Sequence, residues 1–225
     1  MKQLFAAIAA IGLVSTGTSQ AATVFTEDFE GPQFLTQWSV FDTWGSFMTV
    51  SGAGIEVQTS GTVTSAFSGN NYVELDSDFQ VSANVGQGSN SAMAAFLPFT
   101  PGQMYRLSFL YRPRTNNVND NGIRVDLGTL IDGGQGARSF SVSQMVGQAD
   151  GVVSNQNFWN EIVMTFTAGA GDNALMFSAF GTENELGGFL DDIRVESISS
   201  VPVPAAGVFL ASGLLMLAGR KRRTA

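Results

Sequence analysis

Met104-Tyr-Arg-Leu-Ser-Phe-Leu-Tyr-Arg112 is the stretch whose reading decides the fold class. Tyr105, Leu107, Phe109 and Tyr111 fall on one face of an extended chain, and Arg106, Ser108 and Arg112 fall on the other, with Leu110 as the single interruption. Successive side chains of a strand point to opposite faces, so this period of two describes a half-buried β-strand. Trp159, Ile162, Met164 and Phe166 mark a second core-facing strand later in the chain. Working outward, the same alternation or β-branched and aromatic enrichment recurs at 24–29, 38–41, 47–50, 55–58, 72–75, 92–99, 123–130, 139–145, 161–167, 175–180 and 189–198. Gly, Asn, Asp or Pro punctuates most gaps, as at Gly69-Asn70-Asn71, Pro101-Gly102 and Gly187-Gly188. Short strands at this spacing predict an all-β domain, a β-sandwich or jelly roll, over residues 23–200.

The chain has 225 residues, with 26 Gly and 18 Phe, and only 13% of it is charged. Low charge with many aromatics argues against disorder. All 19 acidic residues lie between Glu27 and Glu196, against six arginines and no lysine, so this segment carries a net charge near −13. Such a domain repels nucleic-acid phosphates and suits divalent cations or solubility. The absence of cysteine excludes disulfides and thiolate zinc sites, and the absence of histidine removes the commonest general base.

Both ends differ from the middle. Residues 1–22 read as a secretory signal peptide: Lys2, an apolar run from Leu4 to Val14, then small and polar residues with Ser19-Gln20-Ala21 as the cleavage triplet. Signal peptidase is therefore an expected partner. At the other end Val201-Pro202-Val203-Pro204-Ala205 leads into an apolar segment, Ala205–Gly219, closed by Arg220-Lys221-Arg222-Arg223. As a helix of 15 residues the segment would rise about 22 Å, short of a hydrocarbon core about 30 Å thick. The basic cluster would stay on the cytoplasmic side.

Residues 201–225 resemble the PEP-CTERM sorting signals in their VPLPA variant, with Val203 in the usual Leu place. That resemblance implies an inner-membrane-anchored precursor, held by the C-terminal helix and cut by an exosortase-type membrane protease. It also implies a product at the cell surface or outside the cell, associated with exopolysaccharide or biofilm. Tyr72-Val-Glu-Leu-Asp76, Pro101–Phe109 and Gly188–Val195 resemble galactose-binding-like jelly rolls, a class that includes many carbohydrate-binding modules.

The jelly-roll resemblance implies a structural calcium joining first and last strands, at Glu27, Asp28, Glu30, Asp191 and Asp192. Acidic edge strands kept unpaired by charge explain these residues equally well. Trp38, Trp44, Tyr72 and Trp159 are candidates to stack on a sugar, with Arg112 or Arg114 as donors, and core packing is the competing explanation. Trp44, Tyr72 and Arg112 are the primary choices. Glu74, Asp76 and Asp78 alternate along one strand, resembling the Glu-x-Asp-x-Glu pattern of some β-sandwich glycosidases but with Asp78 in the last Glu place, and a polar sheet face explains them more simply. Asn116–Gly122 is a polar loop and a candidate to bind ligand or cation, and ordinary turn chemistry explains it equally well. The first expectation is a non-enzymatic exported surface or matrix protein. The second is a carbohydrate-binding module with structural calcium, and the third is a hydrolase.

Overall fold

A computed structural model describes residues 21–31, 35–78, 88–134, 136–151 and 158–198. The signal peptide and the sorting tail, apart from residues 21 and 22, lie outside the described residues. Those described belong to one compact unit, Ala21–Ile198. Every regular element among them is a strand: β1 (Ala22–Glu27), β2 (Trp38–Phe41), β3 (Thr43–Trp44), β4 (Phe47–Ser51), β5 (Ile55–Thr59), β6 (Asn71–Glu74), β7 (Ala92–Phe96), β8 (Met104–Pro113), β9 (Gly122–Asp132), β10 (Arg138–Ala149), β11 (Asn160–Thr167), β12 (Ala174–Phe180) and β13 (Gly188–Ile198).

Two antiparallel sheets result. Sheet A runs β11-β8-β13-β6-β5-β2, with β1 also paired to β13, and sheet B runs β10-β9-β12-β7-β4-β3. The expected all-β sandwich is present. The pattern differs in detail: Thr43–Trp44, too short to carry a period, was not predicted, and β7 stops at Phe96. Pro98 follows closely and has no N–H for a ladder. β10 extends beyond its predicted end to Ala149 by absorbing two register shifts, at Val142/Gln144 and Met145/Gly147.

The core is made by the inward faces of both sheets. Ile55, Val57, Val73, Leu107, Phe109 and Val195 come from sheet A, Leu75 from the residue just after β6, and Phe47, Met93, Val125, Leu127 and Phe177 from sheet B. Phe177 sits at the centre of an edge-to-face group, 5.5 Å from Phe109 and 5.8 Å from Phe47 between ring centroids. The opening alternation holds here: Tyr105, Leu107, Phe109 and Tyr111 are all buried in this core.

Strand β13 connects the two ends of sheet A. Phe189 and Leu190 pair with β6, and residues 193–197 pair with β1. Between them the register against β8 slips at Asp191–Arg194. Asp192 takes φ +46° there, the left-handed conformation that lets an extra residue fit in a bulge.

Truncating Phe177 to Ala empties the shared ring position. It should cost about 3–5 kcal/mol in urea unfolding, whereas Val142→Ala on the exposed stretch of β10 should change stability by less than about 0.5 kcal/mol.

Candidate functional site

The distinctive chemistry lies on the outer face of sheet A. In the β5–β6 pair Ile55, Val57 and Val73 face the core, as does Leu75 just after β6, so Glu56, Gln58, Tyr72 and Glu74 must point the other way. Register sets Glu56 opposite Glu74 and Gln58 opposite Tyr72. On the next strand Trp38 and Val40 stand opposite Gln58 and Glu56. This face would ordinarily be wet. Here Glu56, Gln58, Tyr72 and Glu74 are all buried, Glu74 with no exposed surface.

Gln58 ties the group together. Its Nε2 donates to Glu56 Oε1 (2.7 Å) and to Glu74 Oε2 (2.6 Å), and its Oε1 accepts from the Tyr72 hydroxyl (2.8 Å). The same hydroxyl accepts from the Val63 and Thr64 amides, which brings the 60–70 loop over the sheet. Burial pushes the Tyr72 phenol up, so it remains an O–H donor.

Arg114 supplies the positive charge. Its Nη1 lies 2.9 and 2.7 Å from the two Glu74 oxygens and 2.9 Å from the Glu185 carbonyl. Its guanidinium carbon is 6.0 Å from the centre of the Phe189 ring. The polar loop after β8 positions it: the buried Asn121 side chain accepts from the Arg114 and Thr115 amides and donates to the Thr115 and Asn117 carbonyls. The Asn-rich run is thus a turn built around one asparagine. Gly187 N–H adds a 2.6 Å bond to Glu74 Oε1.

Burial, and after it the charge of Glu56, holds the Glu74 carboxyl well above the usual range despite Arg114. Burial also raises Glu56, whose Oε2 accepts from the Asp78 amide. Above this floor opens a cleft of about 240 Å³ lined by Trp38, Thr62, Val63, Asp78, Arg114 and Leu186, among others. A second cleft, of about 440 Å³, lies beside it along residues 36–38 and 59–62. Trp38 and Thr62 line both.

The residues expected to bind ligand fare differently. Trp44 is buried in the core, and its indole N–H donates to the Phe29 carbonyl at 2.7 Å, so it offers no stacking surface. Tyr72 is fully buried and serves as a brace beneath the cleft. Trp159 leans on Tyr72 edge-on at 6.0 Å and donates to the Ser65 carbonyl. Arg112 stands opposite Phe189, and it is Arg114, two residues on, that reaches Glu74. Trp38, Glu56 and Gln58 are the site residues that sequence reading passed over or rated lower. Ile55-Glu-Val-Gln-Thr59 shows the alternation, but nothing in it says that the outer face is covered.

Of the five expected calcium ligands, Glu27, Asp28, Glu30 and Asp191 accept hydrogen bonds from backbone amides. Glu27 accepts from the Phe29 and Ser46 amides, Asp28 from Glu30, Glu30 from Asn70 and Asn71, and Asp191 from Phe67, Ser68 and Asp192. Among the described residues no three carboxylates gather into a metal-holding group. Glu74, Asp76 and Asp78 do not form an open acidic face: the first two are fully buried, and Asp76 Oδ2 accepts from the Asn184 and Leu186 amides.

No family model matches the sequence, and no curated protein matches it as a relative. Among solved structures, a cyclase from Fischerella sp. TAU superposes with a TM-score of 0.50 at 14% identity, over 79% of this chain and 98% of that one. The K1 cleaved adhesin domain of Lys-gingipain from Porphyromonas gingivalis W83 gives 0.48 at 12% identity, over 80% and 99%. A CBM22-1 xylan-binding domain from Paenibacillus barcinonensis gives 0.41 at 10%, over 82% and 99%. The likeness to the cyclase is one of fold: a two-sheet antiparallel β architecture.

Two predictions follow from the charges. Arg114→Ala should cost about 3–5 kcal/mol by leaving Glu74 buried and unpaired, and adding Glu74→Gln should recover part of it in a double-mutant cycle. Burial raises the Asp191 carboxyl from 3.8 to about 6 although three amides favour its charged form. A carboxyl raised on folding stabilises fully below its unfolded pKa and loses that contribution as pH rises through the folded one. Stability should therefore fall by about 3 kcal/mol between pH ~4 and ~6 from this group, and Asp191→Asn should flatten that part of a Tm-versus-pH profile.

Proposed function

We propose that this chain is a non-enzymatic exported surface or matrix protein whose outer-face groove binds an extracellular polysaccharide. The observation that carries the reading is the rigid polar floor under the paired clefts at Trp38. Ligand sites combine a concave surface with a few polar groups fixed in place. Here Gln58 and Arg114 are each held by several bonds before any ligand arrives, and a half-buried tryptophan borders them. Two clefts sharing Trp38 and Thr62 suit a chain-like ligand better than a compact one.

The same geometry speaks against hydrolysis. Two-carboxylate glycosidases need both groups at the scissile bond. Glu74 exposes no surface and is bound to Arg114, Gln58 and Gly187. Export and processing rest on the ends of the sequence: the leader over 1–22, and the Pro motif 201–205 with its apolar segment and basic tip.

Binding of the full chain to a glycan array, followed by calorimetry on the hits, tests the ligand. Saturable binding that weakens roughly tenfold or more in Trp38→Ala, the size expected of an aromatic anchor, with no product released from any hit, is the expected result. Equal binding by wild type and Trp38→Ala would remove the groove from the account. Intact mass of the secreted protein should show that residues after about Pro204 are gone, and a mass that includes the basic tip would remove the sorting step.

A further inference from the structure

Among the described residues, three buried side-chain oxygens have no hydrogen-bond partner: Asp76 Oδ1, Ser89 Oγ and Asn90 Oδ1. They lie on two segments that meet. Asp76 and Asn90 form an isolated antiparallel bridge, and Ser77 N–H donates to the Ser89 carbonyl at 2.9 Å. Bridge partners project to the same side, so Asp76 and Asn90 face one space. Both reach the loop of residues 181–187: Asp76 Oδ2 accepts from the Asn184 and Leu186 amides, and Asn90 Nδ2 donates to the Gly181 carbonyl at 3.0 Å. That last bond fixes the asparagine amide with its oxygen as the free atom.

Buried polar atoms in native proteins have partners, and an unpaired group calls for an unseen one. Asp76 is a fully buried carboxylate, and among the described residues no arginine or lysine forms an ion pair with it. Two of the three oxygens, the carboxylate and the amide carbonyl, can only accept. A further carboxylate stands on the Asn90 side: a Cβ on Gly88, two residues before Asn90, would collide with the Glu183 carboxylate. Carboxylate and amide oxygens without nitrogen or sulfur are the donor set of a hard divalent cation.

We propose that Asp76 and Asn90, with Glu183, bind a calcium-type divalent cation that fastens the 181–187 loop to the sheet. This site is separate from the carboxylates of the first and last strands. It stands independently of the polysaccharide reading, although the loop it secures carries Glu185 and Leu186 at the groove.

The test is thermal unfolding of EDTA-treated full-length protein with added CaCl2, for wild type, Asp76→Asn, Asn90→Ala and Glu30→Gln. Asp76→Asn keeps an oxygen for the two loop amides and replaces the free one by NH2. Calcium at about a hundredfold excess over Kd should raise the wild-type Tm by roughly 5 °C or more, with Glu30→Gln responding alike and Asp76→Asn and Asn90→Ala responding weakly or not at all. If Asp76→Asn does not fold, Asn90→Ala decides. An unchanged wild-type Tm would overturn the proposal, and so would a response that survives in the Asp76 and Asn90 variants. Glycan binding is measured separately, so either result leaves the groove to its own test.

Discussion

The register of β5 against β6 sets Glu56 directly across from Glu74, on a face covered by loops. Like charges in direct cross-strand opposition are unfavourable even when wet, and burial makes each more costly. The surrounding structure is a response to that constraint. Gln58 spends both amide hydrogens on the two glutamates, and Tyr72 fixes the amide's other end. Arg114 brings a close positive charge, and the Asn121 turn holds the backbone that carries it. The groove floor is rigid because each of these groups is needed to keep the others buried.

The acidic composition takes on a structural meaning in this frame. Loops over the outer face of sheet A lack ladder partners, and buried backbone N–H groups must find acceptors. Carboxylates supply them: Glu30 for residues 70 and 71, Asp191 for 67 and 68, Asp76 for 184 and 186, Glu74 for 187. Lysine could not serve, since its ammonium only donates. A carboxylate anchor also ties loops to strands far away in sequence, as Asp191 does across 124 residues to Phe67.

Much of the architecture was legible because alternation is local. Tyr105 to Tyr111 face the core as their period requires, and Thr43–Trp44 escaped notice only because two residues have no period. The site was much less legible. Glu74 and Gln58 sit at outward positions of clean alternating strands, which reads as solvent exposure. They are buried because residues 60–70, 113–121 and 182–187 close over them, and such long-range covering leaves no periodic trace. Trp44 and Trp38 show the same limit: both flank short strands, yet one fills the core and the other borders the groove.

The account depends on Glu56 and Glu74 being desolvated and crowded together with Gln58 and Arg114. Carbon-detected NMR of the side-chain carboxyls, followed through a pH titration, reads this directly. Both carboxyls should titrate above the ordinary glutamate range, with Glu74 the more displaced and the two curves interdependent. Two independent titrations at the position of glutamate in an unfolded chain would contradict it.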